Sequence, residues 1–286
     1  MSIIQLENGK FLIIDTIEMN DKLRKEIDQL TNNGQKIEAV IAAHPFHTLF
    51  FPSFYQAYPN ASYYGTPRHL RKITNIPWKG DFTDCNIRKK WEPEVKLRIP
   101  AVNFKISFFH FKIFKFCVFA GIFVDACEIG ILRLKIGAEF INPLPESSNH
   151  FISVFVYHPY SKTLHVDDTI MYTEDPGWIL RLIGYKRGTL FFHPSMDSDG
   201  LHPTAAAPYL FRDWMKNMLN DWKFDNICTA HIGVKIGGAH EAVTTLLEKT
   251  EPVFAKLSEE NKKKNPDGIL PDGMHPNTNV KDDKCV

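Results

Sequence analysis

Five side chains of metal-binding type stand where apolar runs begin or end: His44, His47, His150, Asp168 and His231. His44 follows a run at 37–43 and His47 lies just beyond it. His150 precedes a run at 151–157, Asp168 closes one at 163–167, and His231 follows one at 224–229. Strands are stiff, so a residue at a strand end is aimed. Imidazole and carboxylate are ligands preferred by Zn²⁺ and other borderline divalent ions. Three or four of them suffice for one ion, which lowers the pKa of a bound water and makes a hydroxide nucleophile. The chemistry these residue types offer is a hydroxide made on Zn, Fe or Mn, with Asp168 also as the catalytic carboxylate. Each residue taken alone suits a structural or surface role better than a ligand's; the case rests on their occurring together in this order, and the same cleft without any metal stays open as a reading.

The elements that must position these residues read as follows. Asn8-Gly9 marks a hairpin between strands at 2–6 and 10–15. The stretch 20–32 places Leu23, Ile27 and Leu30 on one helical stripe, with Gly34 as its stop. An apolar strand at 37–43 runs into His44. A short strand at 62–64 precedes a helix at 68–73, capped by Thr66 with Pro67 at the first position. Residues 74–100 read as loop with short strands. Strands at 151–157 and 163–167 flank a turn at 159–162. A helix at 177–183, a strand at 190–192, a helix at 205–219, a strand at 224–229 and a helix at 238–257 follow. From Ser258 the Lys, Asn, Pro and Asp content predicts a disordered tail. This order suits an α+β sandwich of sheets with outer helices rather than a uniformly alternating parallel fold. The division is one domain at 1–257 and a tail at 258–286.

The segment 104–136 is crowded with Phe, Ile and Lys and shows no clear period. It reads as a pair of core strands, as an amphipathic surface element, or as an insertion the domain does not need, such as translated intron sequence.

The bulk composition excludes some classes. A net charge of +1 over 286 residues gives no footing for nucleic acid or an anionic membrane as the main partner. No uncharged apolar run reaches the roughly 18 residues of a spanning helix; the nearest, 116–124, is flanked by Lys115 and Asp125. Residues 1–6 lack the basic and apolar pattern of a secretory signal. The five cysteines, Cys85, Cys117, Cys127, Cys228 and Cys285, are an odd number without close pairs. They predict free thiols in a reducing compartment, hence a cytoplasmic protein.

In sequence order, these features resemble the metallo-β-lactamase-like superfamily over roughly residues 1–250, apart from 102–136. The hairpin ending in Asp15-Thr16, then a helix, then Val40-Ile-Ala-Ala-His44, is similar to the family's opening. Ser148-Asn-His150 before a strand resembles its third-histidine motif. Ser161-Lys-Thr-Leu-His-Val-Asp-Asp168 resembles its metal-bridging aspartate, and Ile227-Cys-Thr-Ala-His231-Ile-Gly its late histidine element. The resemblance implies a four-layer αββα sandwich. The family's T-H-x-H-x-D-H motif falls on Ala43-His44-Pro45-Phe46-His47-Thr48-Leu49, where only His44 coincides. His47 is one place out of register, and Thr48 and Leu49 replace an aspartate and a histidine. Such a remnant implies at most one metal, in a divergent branch where His47 rather than His44 can be the functional histidine.

Other histidines are assigned structural or surface roles. Alternation puts His165 on the face opposite Val166, away from the cleft of Asp168. His158 flanks the same hairpin, and His193 and His202 lie in loops. Lys235 and Gly237-Gly238 read as a helix start. Two functions fit: a metal-dependent hydrolase of a small ester, thioester, lactone or phosphoester, or a non-catalytic relative using its cleft or tail for binding. The insertion reading predicts that a chain lacking residues 102–136 retains a cooperative thermal melt; total loss of folding in that deletion would overturn it.

Overall fold

Asn8 and Gly9 turn the first hairpin, with Gly9 at φ +77° where a side chain would be strained. Strands β1 (Ser2–Gln5) and β2 (Phe11–Ile14) pair antiparallel across it. The computed structural model describes residues 1–100, 102–103, 135–136, 151, 153–182, 184–197, 200–230, 233–268 and 285. Helix α1 (Asp21–Thr31) is capped by Asn20, whose side chain accepts from the Leu23 N–H. It stops at Asn32, in the left-handed region at φ +53°, two residues before the expected Gly34. Gly34 instead makes room for a neighbouring ring, since a Cβ there would fall 2.4 Å from Tyr58.

The chain continues through β3 (Ile37–Ile41), α2 (Phe51–Ala57), β4 (Ser62–Gly65), α3 (Pro67–Lys72), β5 (Gly80–Asp81), α4 (Cys85–Arg88) and β6 (Lys96–Arg98). β7 (Val102–Asn103) pairs antiparallel with β8 (Lys135–Ile136). The expectations for the intervening residues 104–134 lie outside the described residues. Then come β9 (Phe155–His158), β10 (Thr163–Asp167), β11 (Ile170–Thr173), α5 (Trp178–Leu182), β12 (Thr189–Phe192), α6 (Ala207–Asp221), β13 (Asn226–Thr229), β14 (Val234–Lys235), α7 (Ala239–Lys249) and α8 (Glu251–Lys264).

Five strands form a first sheet in the order β1-β2-β3-β4-β5, and five form a second in the order β14-β13-β10-β9-β6. In the first, β2 to β5 are parallel, joined by α1, α2 and α3 as crossovers. In the second, β10 and β13 are parallel. The carboxyl ends of β2 and β3 therefore share one edge, as do those of β10 and β13. Three apolar clusters fill the interior. Ile13, Val40 and Tyr63 meet Ile27, Phe51 and Phe54 of the helices. Leu12, Ile14 and Ile41 of the first sheet meet Leu97 and Val156 of the second. Phe155, Leu164 and Val166 meet Phe211, Val243 and Phe254 of the later helices. Alternation explains the split: Phe155 and Tyr157 face the helices, while Val154 and Val156 face the first sheet.

Several expectations are corrected. The strand foreseen at 151–157 occupies Phe155–His158. The single helix foreseen at 238–257 is two, parted at Thr250 because Pro252 has no N–H to continue the ladder. Residues 258–264 are helical rather than disordered, since Phe254 and Leu257 anchor that helix in the core; 269–284 lie outside the described residues. Cys85 and Cys285 are joined by a disulfide with Cα atoms 5.3 Å apart, so the expectation of five free thiols fails. A separation of 200 positions hides such a pairing from spacing rules. Among the described residues, no helix is long and apolar enough to cross a membrane.

Phe151, the residue after His150, is fully buried, and its N–H donates to the Gly200 carbonyl at 2.9 Å. A Cβ on Gly200 would stand 2.5 Å from the Phe151 ring and 2.7 Å from the Ser195 carbonyl. Gly200→Ala should destabilise the protein by about 1–3 kcal/mol, the usual range for overpacking. Denaturant melts of the two proteins check this.

Candidate metal centre

The centre is built where strands β2, β3 and β10 end. Asp15 closes β2 at φ +54° and Asp167 closes β10 at φ +52°. Left-handed backbone is unusual for a residue with a Cβ, though Asp tolerates it better than most. The β10–β13 register slips between His165 and Asp167. That slip and the left-handed turn bring two consecutive carboxylates to one partner. His47 Nδ1 is 3.1 Å from Asp167 Oδ1, and His47 Nε2 is 3.0 Å from Asp168 Oδ2.

The loop after β3 carries the histidines. His44 is fully buried and its ring centroid lies 4.6 Å from that of His47. The His47 N–H donates to the His44 carbonyl at 3.0 Å, which tightens the turn. Arg68 donates to the Pro45 carbonyl at 3.0 Å and stacks over Phe46. His69 acts on the loop through the backbone. The Thr66 N–H lies 3.3 Å from His69 Nδ1, making that nitrogen an acceptor. Nε2 therefore carries the proton and donates to the His47 carbonyl at 3.1 Å. Burial pushes the His69 imidazole down to about 4, against the pull of the His47 carbonyl, so it stays neutral.

Three carboxylates around one imidazole shift one another. For His47 burial opposes protonation, but the Asp167 charge and the hydrogen bonds with Asp167 and Asp168 prevail and push it up to about 11. Asp167 is raised well above the carboxylate range, by burial first and then by the charge of Asp15. Asp15 moves the other way: burial raises it, but neighbouring His165 and Asp167 and the charge of His47 outweigh that and hold it low. Its Oδ1 accepts from the Ala43 N–H at 2.8 Å, and its Oδ2 lies 3.5 Å from His165 Nε2.

Among the described residues, two sets of three ligand atoms lie within 4.8 Å of one another: His44, His47 and Asp168, and Asp15, His47 and Asp167. Ligands about 2.1 Å from a tetrahedral ion stand about 3.4 Å apart, so small side-chain movements suffice. Asp15 Oδ2 and Asp167 Oδ2 are buried without a hydrogen-bond partner, a deficit that a cation fits. Beside them opens a cavity of about 280 Å³, with Ile17, Phe46, Leu49 and Phe50 on its wall.

Of the expected residues, His44, His47 and Asp168 come together. His150 and His231 lie outside the described residues, whereas Phe151 and Ala230 are described. The Val154 N–H donates to the Ala43 carbonyl at 2.8 Å, which brings the segment after His150 beside the His44 loop. Ala230, which precedes His231, lines the cavity. The placement of His165 away from the site is corrected: it lines the same cavity, because alternation sets it beside Asp167 rather than Val166. His202 is buried rather than on the loop surface, and burial lowers it to about 4. Asp167 and His69 were not singled out. The Asp167-Asp168 doublet is visible in the sequence, but not that both members face inward. For His69 the signal is its place three residues after the Thr66 cap, as in a capping box.

No family model matches the sequence, and no curated protein matches it. Similar solved structures include the DIM-1 metallo-beta-lactamase, with TM-score 0.45 and 13% identity over 90% of this chain and 85% of that one. A metallo-beta-lactamase from Erythrobacter litoralis gives 0.45 and 11%, over 86% and 83% of the two chains. FIM-1 from Pseudomonas aeruginosa, in a mono-zinc form, gives 0.43 and 10%, over 87% and 89%.

The raised pKa of His47 sets a direction for pH. A base whose folded pKa exceeds its unfolded 6.5 contributes stability that is full below 6.5 and lost as pH rises toward about 11. Metal-free wild type should therefore lose more stability between pH 6 and pH 10 than metal-free His47→Gln, by on the order of 1 kcal/mol or more. Urea unfolding at both pH values checks it.

Proposed function

We propose that the chain is a metal-dependent hydrolase of the metallo-β-lactamase-like superfamily. In this reading the domain is a four-layer αββα sandwich reaching to Lys264, supported by the three separate apolar clusters. One divalent ion sits between His44, His47 and Asp168, and His150 and His231 are further ligand candidates. The observation that carries the reading is the convergence of those three donors, two imidazoles and one carboxylate, within 4.8 Å at the ends of β3 and β10. Such a set suits Zn²⁺, with Fe and Mn as alternatives.

A bound ion there supplies Lewis acidity and lowers the pKa of a coordinated water. The chain's own residues do the rest. Asp167 orients His47 through Nδ1, leaving Nε2 for the ion. His69 and Arg68 fix the loop backbone that carries both histidines. The apolar wall of Ile17, Phe46, Leu49 and Phe50 shields a small substrate from water. The substrate is a small ester, thioester, lactone or phosphoester; neither nucleic acid nor membrane enters.

A second reading is a metal-free relative that binds through the cleft. The His47 clamp favours it, because an imidazolium between Asp167 and Asp168 offsets part of the buried charge without an ion. Elemental analysis of the purified protein decides between them. The hydrolase reading expects about one equivalent of Zn, Fe or Mn, lost together with at least roughly 100-fold of kcat/KM on a small aryl ester in Asp168→Ala. Metal-free protein whose melting temperature ignores both chelator and added zinc would sink it.

A further inference from the structure

His47 faces a different carboxylate with each ring nitrogen, and one of the two donor sets lies wholly on the cavity wall while the other reaches it through His47. Asp15, His47 and Asp167 line it, whereas His44 is fully buried and neither it nor Asp168 is part of its wall. Asp15 is 4% exposed and Asp167 1%, and Asp15 Oδ2 and Asp167 Oδ2 have no hydrogen-bond partner. The other oxygen of each is engaged, Asp15 Oδ1 by the Ala43 N–H and Asp167 Oδ1 by His47 Nδ1. Each carboxylate is thus fixed at one oxygen, while the second makes no hydrogen bond; Asp15 Oδ2 has His165 Nε2 3.5 Å away. Both sit on left-handed backbone at strand ends, so their directions are set by the sheets.

We propose a second, oxygen-rich cation position formed by Asp15, Asp167 and His47 Nδ1, facing the cavity and exclusive with the position at His44, His47 Nε2 and Asp168. It shares His47 with the hydrolase reading and rests on that reading in no other respect. Exclusivity follows from the imidazole: neutral histidine has a lone pair on one ring nitrogen only, and the other carries the proton. An ion on Nδ1 leaves Nε2–H to donate to Asp168; an ion on Nε2 leaves Nδ1–H to donate to Asp167. The two positions also differ in chemistry. Two carboxylates and one imidazole suit a harder, oxygen-seeking ion such as Mn²⁺, while two imidazoles and one carboxylate suit Zn²⁺. The identity of the ion then decides whether it meets the cavity through all three of its ligands or through His47 alone.

The experiment titrates Mn²⁺ and Zn²⁺ separately into chelator-treated full-length protein, by calorimetry and, for Mn²⁺, by electron paramagnetic resonance. Asp15→Asn should weaken Mn²⁺ binding at least tenfold and Zn²⁺ binding less than threefold; Asp167→Asn should weaken both, Mn²⁺ more, because Asp167 also orients His47 for the Zn²⁺ position. His44→Gln should do the reverse, and Asp168→Asn should weaken both, Zn²⁺ more, because Asp168 also accepts from His47 Nε2–H when the ion is on Nδ1. Asn at position 15 keeps the oxygen that accepts from the Ala43 N–H, and a melt of each metal-free variant reports folding. A test without variants accompanies these: one equivalent of Zn²⁺ should release Mn²⁺ from wild type, with total metal never above one equivalent. Mn²⁺ affinity unmoved by Asp15→Asn and Asp167→Asn, or two ions held at once, overturns the proposal. Should Zn²⁺ binding depend on His44 and Asp168 while Mn²⁺ ignores Asp15, this inference alone fails. Should Mn²⁺ binding depend on Asp15 while Zn²⁺ does not bind, the placement at His44 and Asp168 alone fails. Protein that binds neither ion overturns both.

Discussion

One imidazole held between two consecutive buried carboxylates is the interaction on which the rest of the centre depends. His47 meets Asp167 through Nδ1 and Asp168 through Nε2. Neither carboxylate is stable in that interior as a lone charge, because burial removes water from it. The imidazole, an ion, or a proton must offset them. The opposite shifts of Asp15 and Asp167 express the same constraint: two carboxylates in one dry space cannot both ionise freely. The structure around them holds the partners in reach. His69 grips the His47 carbonyl, Arg68 the Pro45 carbonyl, and the Ala43 N–H grips Asp15.

That grip is a property of the topology. Parallel pairing of β2 with β3 and of β10 with β13 puts the loops that follow them at common edges. The apolar cluster between the sheets, including Leu12, Ile41, Val154 and Val156, fixes the two edges against each other. Residues far apart along the chain therefore meet through rigid elements, and the loops between them have little freedom to relax. At the centre itself the backbone departs from regular structure at the tight 44–47 turn and at the two left-handed aspartates, which is common where a site is built.

Much of the fold was legible from local chemistry. Asn8-Gly9 marks the first hairpin, the apolar stripe through Leu23 and Ile27 marks α1, and Thr66-Pro67 opens α3, all from short-range rules. Helix α2 was not, because its Phe51-Pro-Ser-Phe54 start shows no polar stripe; Phe51 and Phe54 are buried by the sheet, not by the helix pattern. The break at Thr250 was missed because the apolar positions continue on both sides of it. The Cys85–Cys285 link was invisible because no local spacing rule spans 200 positions.

The sequence by itself determined which residue types end the strands: Asp15 after β2, His44 and His47 after β3, and the Asp167-Asp168 doublet after β10. Side-chain alternation and turn chemistry act over a few residues, so they can be read without a fold. Only the tertiary structure decided which nitrogen of His47 faces which carboxylate, that Asp15 and His165 join the cavity, and that His69 holds the loop from behind. Those outcomes depend on how two sheets pack and on a one-residue slip in the β10–β13 register. A slip of that size reverses which face a side chain occupies, and no local pattern encodes it.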